Sequence, residues 1–410
     1  MLCTYIKKEL NSFFHAISKT NELSYYILLI CYIAVYFDLK IAWNEALVSI
    51  ENIVRYFLLG IVMWGSTAYL FFVITEWERL WENTVYLLLV GVILLTATFL
   101  FSQRMTTNSY GVVMDIFFCV MACGKSFRKI LNCIFGVIGG GLIFVGIGSF
   151  IGFALDVQKP YNVSPGHSLG INYPNTWGYL FFLALMIAWY LFLRKKPLST
   201  FAIFWIAAAI NYFYISCRTI AGITLIFPFV ALAVDALERK ERSTSPSEKK
   251  RFGILGWSLI LLPFIVFFIM FFLSLHVEWM YGHFAHTPLH NLAMRFWQGG
   301  MYFRTYGFPL FGNPYRSDVI TYMNVNGELL QVGILDSSFA AYLIMRGVIW
   351  ITGVLCWLCF AHWKAIKRKD YGIVFLSVVI LLFAMMERPG LEMWYNFVLL
   401  YPLAKLTNSG

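Results

Sequence analysis

Charged residues are scarce in this chain of 410 residues, where Asp, Glu, Lys and Arg together make up 13%. Soluble domains carry about 25%. The scarcity excludes a soluble globular protein, and the low charge with high apolar content also excludes an intrinsically disordered one. The net charge of +10 is spread along the sequence, so the composition gives no indication of a nucleic-acid-binding module.

Three further features are missing or rare. No small-residue cleavage pattern follows the first apolar run, so we expect a retained first helix and not a signal peptide. No internal repeat relates the two halves of the chain, which weakens a transporter interpretation because many transporters are built from paired halves. The eight cysteines give no disulfide framework, since most of them, including Cys31, Cys119, Cys356 and Cys359, lie in or beside apolar runs where a thiol packs as a small hydrophobe.

Apolar residues, in contrast, make up 60% of the chain, and the mean hydropathy is +0.71. Many apolar runs approach the roughly 20 residues needed to cross a bilayer. The pattern predicts an all-α polytopic membrane protein with about 12 transmembrane helices. The predicted spans are about 23–37, 53–74, 84–101, 110–122, 130–152, 174–193, 200–215, 219–235, 253–275, 336–361, 371–386 and 391–404. We expect residues 1–22 to be a cytoplasmic N-terminal segment and 23–410 to form a single transmembrane domain.

The distribution of Lys and Arg predicts the orientation. With the N-terminus inside, about 21 of the 31 basic residues fall in cytoplasmic segments, as the positive-inside rule requires. An even number of spans then places both termini in the cytoplasm. The long loops are a cytoplasmic linker at about 238–253 and two external loops, at about 153–173 and 276–335. The aromatic and glycine content of the second external loop predicts that this loop is folded, with short helices at the interface.

Arginines near the external face are the first candidates for function, because an ionisable group at membrane depth usually has a functional partner. Arg218 lies between two apolar runs with almost no loop between them, and Arg295 and Arg304 lie among aromatic residues of the large loop. Each guanidinium is a permanently charged fork suited to phosphate or pyrophosphate. The alternative is ordinary anchoring of each arginine at the interface.

The first external loop offers polar groups for sugar hydroxyls in His167, Asn172 and Asn175, with Pro174 marking the first turn of the next helix. His167 is also a candidate general base. Simple turn and capping chemistry is the alternative for all three polar residues.

Histidines open the large loop, and three of them follow at i, i+3 and i+7, a spacing that would suit a metal on an unbroken helix. Pro288 is expected to break that helix before His290, so no metal site is predicted. Interfacial packing is the favoured role for these histidines, and contact with the sugar or catalysis by one of them is the alternative. Their positions are His276, His283, His286 and His290.

Two further groups end the candidate set. Asp336 lies at the external end of a predicted helix, where it is either a helix N-cap or a catalytic group. Arg346 lies about ten residues deeper in the same helix, where either a carboxylate such as that of Asp115 or a ligand phosphate would balance its charge. A short external hairpin near the C-terminus is too polar for a plain span and is expected to line a cavity. Its polar residues are Glu387, Arg388, Glu392 and Asn396.

Four sequence segments in this order resemble the O-antigen and capsular polysaccharide polymerase family. SLGINYPNTWGYL is similar to the stretch that enters a middle helix, and SCRTIAGI to a Ser-Arg-Thr hairpin motif with Cys217 interposed. LDSSFAAYLIMRG is similar to an Asp-x-x-Tyr helix with Phe339 at an aromatic position, and ERPGLEMWYN to the last external hairpin. The resemblance runs from about 165 to 400.

The resemblance implies a helical fold related to the GT-C glycosyltransferases and the O-antigen ligases, in a bacterial cytoplasmic membrane. It implies a polymerase that moves a growing glycan from undecaprenyl diphosphate onto the terminal sugar of a lipid-linked repeat unit on the external side, without cofactor or metal. The lipid-linked oligosaccharide, the growing polymer and membrane lipids would be its partners, with a chain-length regulator as a further possible one. Arg218 and Arg295 match the family's pyrophosphate-binding arginines by position, while the base stays open among His290, His167 and Asp336.

The chemistry of the residues favours the same reaction. Fixed positive charge from Arg218, Arg295, Arg304 and Arg388 would stabilise a diphosphate leaving group. Inversion at the anomeric carbon is favoured because no nucleophilic carboxylate pair stands out, although Glu387 and Glu392 keep retention open. A flippase or other transporter of lipid-linked oligosaccharide and an O-antigen-ligase-type transferase are the alternatives.

Overall fold

The computed structural model describes residues 11–76, 107–157, 166–243, 254–276, 290–312, 320–323, 329–332, 337–386 and 388–406, apart from positions 13, 16, 19 and 20 and with isolated positions at 279, 283 and 287. For some helical residues it describes the backbone alone. These residues are almost entirely helical and fall into two compact units. Unit 1 comprises Met1–Ala236 and Leu403–Gly410, and unit 2 comprises Leu237–Pro402.

The first seven helices begin in unit 1. They are α1 (Glu22–Asp38), α2 (Val48–Glu76), α3 (Thr107–Met121), α4 (Phe127–Ile151), α5 (Pro174–Ala188), α6 (Pro197–Phe213) and α7 (Arg218–Ser243). A 3₁₀ turn at Glu45–Leu47 precedes α2, and a π-helical turn at Trp189–Leu193 continues α5.

Unit 2 holds the remaining elements. They are α8 (Ile254–Leu275), α9 (His290–Tyr306), the antiparallel strands β1 (Ile320–Met323) and β2 (Leu329–Val332), α10 (Ser338–Lys367), α11 (Tyr371–Met386) and two 3₁₀ turns at Arg388–Leu391 and Phe397–Leu400.

Local sequence signals set the helix ends. Asn21 and Ser126 cap α1 and α4, since their side chains accept backbone N–H groups of Leu23 and Lys129. Pro174 and Pro197 occupy the first turn of α5 and α6, where the missing N–H has no intrahelical partner to lose. These capping signals explain why the predicted starts of these helices agree with the observed ones to within a few residues.

Six described helices are long and apolar enough to cross a membrane, consistent with the α-helical polytopic membrane protein that the composition predicts. These candidate spans are Glu45–Leu70, Phe127–Ile151, Pro174–Leu193, Arg218–Lys240, Gly256–Leu275 and Ser338–Lys367. Two shorter apolar helices are Pro197–Phe213 and Tyr371–Met385. The predicted span at 84–101 lies outside the described residues, as does the part of the predicted linker from 244 onward, while α7 continues as a helix to Ser243.

The segment 391–404 does not form the predicted twelfth helix. Residues 388–402 instead form two 3₁₀ turns and run alongside α10 in the same direction. Four hydrogen bonds join this segment to the helix. The bonded pairs are Gly390 with Ser338, Glu392 with Tyr342, Leu399 with Trp357, and Pro402 with Lys364. Irregular backbone is tolerated in a membrane protein where it is buried in protein, and the side chains from Met393 to Tyr401 are buried. Apolar composition alone therefore predicted the burial of this segment but not its conformation.

One end of unit 1 gathers three segments that the charge pattern places in the cytoplasm. The Lys125 ammonium, which is fully buried, donates to the carbonyl of Ile17 near the N-terminus, at 3.2 Å. The C-terminal Lys405 pairs with the same loop, since its N–H donates to the Lys125 carbonyl and its carbonyl accepts from Phe127. Both terminal segments thus contact the loop between α3 and α4.

Helix α10 is broken at Gly347, which the sequence pattern did not predict. Gly347 has φ 86° and ψ 174°, and the segment 309–312 fills the gap. The carbonyls of Pro309 and Leu310 accept the N–H groups of Val348 and Ile349 that the break leaves without helical partners. Only glycine fits here, because a Cβ on Gly347 would overlap the backbone of Leu310 and Gly312.

Candidate functional site

Polar residues of unit 1 come together at the C-terminal end of α4, opposite the loop between α3 and α4. They lie in four segments, residues 38–47, 152–157, 166–173 and 214–218, which we call the cap. Helix α4 is 25 residues long, or about 37 Å, so the cap and the loop before Phe127 lie a bilayer thickness apart along it.

Backbone pairing holds the cap together. The extended segment 40–44 pairs on one edge with residues 153–155 and on the other with residues 170–172. The N–H of Ala42 donates to Gly170 at 2.8 Å, and its carbonyl accepts from Leu155 at 2.6 Å. Asn172 strengthens this pairing, because its side-chain amide donates to the carbonyl of Leu39 at 3.2 Å. The loop at 153–173 is therefore anchored at both of its described ends.

His167 and Asp156 form the central pair of the cap. His167 Nδ1 lies 2.6 Å from Asp156 Oδ2, and Asp156 Oδ1 accepts the backbone N–H groups of Ser168 and Leu169 at 2.8 and 2.9 Å. Partial burial alone would raise the pKa of Asp156, but the hydrogen bonds from His167 and from the two N–H groups outweigh it and lower the pKa below its usual value. Asp156 is therefore ionised at neutral pH and acts only as an acceptor.

The His167 ring is also fixed on its face. It stacks on the Tyr214 ring, with the ring centroids 4.5 Å apart and the planes at 15°. The backbone N–H of His167 donates to the backbone carbonyl of Tyr214 at 3.2 Å. The side chains of His167 and Asp156 are each 25% exposed. A carboxylate thus sets the rotation of an imidazole that solvent can still reach.

Strained backbone surrounds this pair. Leu169 and Gly170 both have positive φ, as the central residues of a type I′ turn do, and Ser216 in the neighbouring hairpin has φ 61°. Among the described non-glycine residues, only Leu169, Ser216 and Lys369 have positive φ, so two of the three lie in the cap. Such backbone clusters at functional sites because the surrounding structure must hold it in place.

Arg218 follows this hairpin as the first residue of α7, and its side chain is exposed. The ion pairs found among the described residues do not include it. The helix N-terminus adds positive potential to that of the guanidinium. The cap therefore combines an exposed fixed cation with an oriented imidazole.

Unit 2 contains the other predicted arginines. Arg295 is half-buried and Arg304 exposed on α9, which packs against α8 and α10, so that a Cβ on Gly299 would contact Ser274 and Ala340. The described part of the large loop therefore contains a packed helix together with a small β-hairpin.

A polar chain in unit 2 links α10 to the segment after α11. The Arg346 guanidinium lies over the Tyr342 ring at 4.2 Å, and the Tyr342 hydroxyl donates to Glu392 Oε1 at 2.7 Å. Glu392 Oε2 accepts from Trp394 Nε1 at 2.9 Å. The carboxylate suggested for Arg346, that of Asp115, accepts from the Tyr32 hydroxyl within unit 1.

The remaining predicted residues have less defined roles. Asn396 is 0% exposed and donates to the Gly390 carbonyl, which fits a structural role in its turn better than sugar binding. Asn175 is half-buried in the first turn of α5. Asp336 and Glu387 lie outside the described residues, and His290 and Arg388 are described by their backbone alone. The N-cap of α10 is Ser337, whose side chain accepts the N–H of Ala340.

The predicted histidine cluster gives no metal site among the described residues. His276 and His283 are exposed, and the Nδ1 atom of each lies 2.9 Å from the carbonyl four residues earlier in its own chain segment. This geometry suits the interfacial packing role. His286 lies outside the described residues.

Asp156 is the functional candidate that sequence reasoning missed. It lies near the start of the loop at 153–173, eleven residues before His167, and the spacing gives no helical or strand periodicity that would pair the two. The signal was the placement of one carboxylate and one imidazole at opposite ends of a single loop. No protein-family model matches this sequence, and the comparisons with curated proteins and with solved structures find no relative of it.

Proposed function

We propose that the protein is a membrane glycosyltransferase that extends a polysaccharide from lipid diphosphate-linked repeat units on the external face of a bacterial cytoplasmic membrane. The observation that carries the proposal is the cap, where exposed Arg218 begins a helix at the hairpin on which oriented His167 stacks. Transfer of a glycan from a diphosphate carrier needs these two functions, a cation for the leaving group and a base for the acceptor.

Arg218 suits the diphosphate for electrostatic reasons. Negative charge grows on the leaving diphosphate as the glycosidic bond breaks, and a fixed guanidinium at a helix N-terminus stabilises it. Arg295 is proposed as a second phosphate contact and Arg304 and Arg388 as further ones, each within unit 2. Ala substitution of Arg295, like that of Arg218, should leave a folded, inserted protein that does not extend chains.

Three residues are candidates for the base, His167, His290 and Asp336. Of these, His167 has side-chain contacts that support the role, since its ring is fixed by a carboxylate and an aromatic face. Inversion by single displacement is proposed for the stereochemistry. A covalent intermediate on Glu392 is disfavoured because both of its oxygens already accept hydrogen bonds, from Tyr342 and Trp394.

The proposed orientation is supported by the two ends of unit 1. The loop before α4 contacts both terminal segments and, with the first turn of that helix, contributes Lys125, Arg128 and Lys129. Segments with an excess of Lys and Arg stay in the cytoplasm. Because the cap lies at the other end of α4, it is proposed to face the outside of the cell, with both termini inside. A GT-C-like arrangement of the remaining spans is part of the same proposal.

The broken helix α10 favours a second candidate function, transport of the lipid-linked oligosaccharide. Discontinuous helices with charged residues beside the break form substrate sites in many transporters, and Arg346 directly precedes Gly347. An O-antigen-ligase-type transferase, which passes a finished polymer to another acceptor, remains a third candidate.

One reconstitution separates the three functions. Purified protein in proteoliposomes receives undecaprenyl diphosphate-linked repeat units, alone in one reaction and with a second acceptor in another, and both product length and transbilayer movement are measured. Lengthening of the glycan supports the polymerase. Movement without lengthening supports the transporter, and lengthening that depends on a second acceptor supports the ligase.

A further inference from the structure

We propose that Asp156 and His167 form a catalytic dyad in which His167 Nε2 is the general base and Asp156 the residue that positions it. The inference rests on the proposed glycosyl transfer, and it assigns the base that the sequence left open among three residues. Asp156 does not contact the reacting atoms in this scheme, because its role is to fix the tautomer and the rotation of the imidazole.

The hydrogen bonds of Asp156 determine the tautomer. Its carboxylate accepts three N–H groups, two from the backbone turn at Ser168 and Leu169 and one from the His167 ring. An ionised carboxylate cannot donate, so Nδ1 of His167 must carry a proton. In the neutral imidazole the lone pair is then on Nε2, the nitrogen able to accept a proton.

The surroundings of the ring determine where Nε2 points. The Tyr214 ring covers one face of the imidazole and Asp156 holds its Nδ1 edge, so the side chain has little rotational freedom left. The residual exposure of His167 gives a bound hydroxyl access to the ring. This is the arrangement in which a carboxylate-oriented histidine acts as base in hydrolases on unrelated folds.

The proposed step balances as a single displacement. The acceptor hydroxyl oxygen forms a bond to the anomeric carbon, the bond from that carbon to the diphosphate oxygen breaks, and the electron pair leaves with the diphosphate. The hydroxyl proton moves to His167 Nε2 and is later released to water. Diphosphate leaves as a stable anion beside Arg218, so the reaction needs a base and a cation but no general acid.

The first test uses Asp156→Asn. The Asn carbonyl still accepts the two backbone N–H groups, but its amide now donates to Nδ1 and moves the ring proton to Nε2, where it blocks the base. We expect the rate of chain extension to fall at least about 100-fold while the protein stays folded. Asp38→Asn is the matched control, because Asp38 is another carboxylate of the cap that accepts hydrogen bonds, from Trp43 and Arg55. Its loss should change the rate less than about threefold.

The second test uses His167→Gln and His167→Ala. Glutamine retains an N–H that can donate to Asp156 but cannot act as a base, so it should fold normally and lose extension at least about 100-fold. Added imidazole should restore part of the activity of His167→Ala, a response that a purely structural histidine would not give.

The pH profile of chain extension adds a readout that a purely structural histidine would not change. Asp156 and Tyr214 contact His167. The other described charged or titratable side chains of the cap are Asp38, Lys40, Glu45, Tyr173, Cys217 and Arg218. The acid limb of the extension rate in the wild type should be absent from the residual activity of His167→Gln and retained in Asp38→Asn.

A spectroscopic measurement is independent of activity. The chain has seven histidines, so the ¹⁵N resonances of His167 are assigned by their disappearance in His167→Gln. The wild type should show protonated Nδ1 and bare Nε2, and Asp156→Asn the opposite tautomer. The wrong tautomer in the wild type, or extension unaffected by His167→Gln, overturns the dyad while leaving the polymerase intact, whereas wild type that moves lipid without extending it overturns both.

Discussion

The cap of unit 1 and the break in α10 of unit 2 hold polar groups in different ways. In the cap, backbone pairing among three loop segments leaves Arg218 exposed and His167 open to solvent. At the break, loop carbonyls satisfy the free N–H groups of Val348 and Ile349, and the Arg346 guanidinium lies on an aromatic ring. The difference indicates that the cap is arranged to meet a ligand, while the contacts at the break chiefly stabilise an interrupted helix.

Replacement of Arg218 should give the largest change in the rate of chain extension. Arg218→Ala removes the exposed cation of the cap and should reduce chain extension about 10²- to 10³-fold, the range for loss of one preorganised charge contact, with little change in thermal stability. The measurement is glycan length against time in proteoliposomes.

Arg128 is the matched control for this variant. It is also exposed in the first turn of a helix, α4, but lies at the opposite end of unit 1. Arg128→Ala should therefore extend chains at the wild-type rate. Equal activity of the two variants would mean that the cap has no special electrostatic role.

Replacement of Gly347 should give the largest loss of stability. Gly347→Ala places a Cβ against the inserted loop at a φ and ψ that only glycine adopts readily, so we expect a loss of about 3 kcal/mol or more. Thermal unfolding in detergent measures the loss. Gly353→Ala in the same helix has nothing within 4 Å of the new Cβ and should be neutral or slightly stabilising.

Removal of the Tyr342 hydroxyl should have a smaller effect. Tyr342→Phe deprives Glu392 of one of its two described donors, and we expect a loss of about 1–3 kcal/mol. A double-mutant cycle with Glu392→Gln isolates the coupling between the two side chains. Additive losses would show that the bond contributes little.

Much of this architecture could be predicted from composition and capping signals. Ten of the twelve predicted spans coincide with described helices, because long apolar runs and helix-starting residues such as Ser126, Pro174 and Pro197 are local features. The segment 391–404 could not be predicted, since its conformation depends on hydrogen bonds to α10 that are remote in sequence. The break at Gly347 depends in the same way on carbonyls of Pro309 and Leu310.

The site shows the same division. His167 and Arg218 could be identified because a histidine in a loop between two predicted spans and an arginine between two apolar runs are unusual residue types in those places. The partner Asp156 was not, because the turn through Ser168 and Leu169 that brings it to His167 depends on the backbone conformation of Leu169 and Gly170. Residue type thus indicated the candidate groups, and only the fold gave their orientation.

The smallest predicted effect is the loss of folding stability in the cap at acid pH. Because the folded pKa of Asp156 is lowered, its hydrogen bonds contribute stability above the ordinary carboxylate pKa of about 3.9, and that contribution is lost as pH falls through the folded value. Wild type should be more stable than Asp156→Asn by about 1 kcal/mol at neutral pH. This difference, measured by thermal unfolding, should shrink toward zero below that pH range. A difference that persists unchanged in acid would contradict the assignment.

Binding of the carrier lipid tests the central claim most directly. The purified protein in phosphatidylcholine nanodiscs is titrated with undecaprenyl diphosphate and with undecaprenyl monophosphate, and the dissociation constants are compared for wild type and Arg218→Ala. We predict that wild type binds the diphosphate at least about tenfold more tightly than the monophosphate and that Arg218→Ala removes most of this preference. Equal binding of the two lipids by wild type, or a diphosphate preference that survives in Arg218→Ala, would contradict the account.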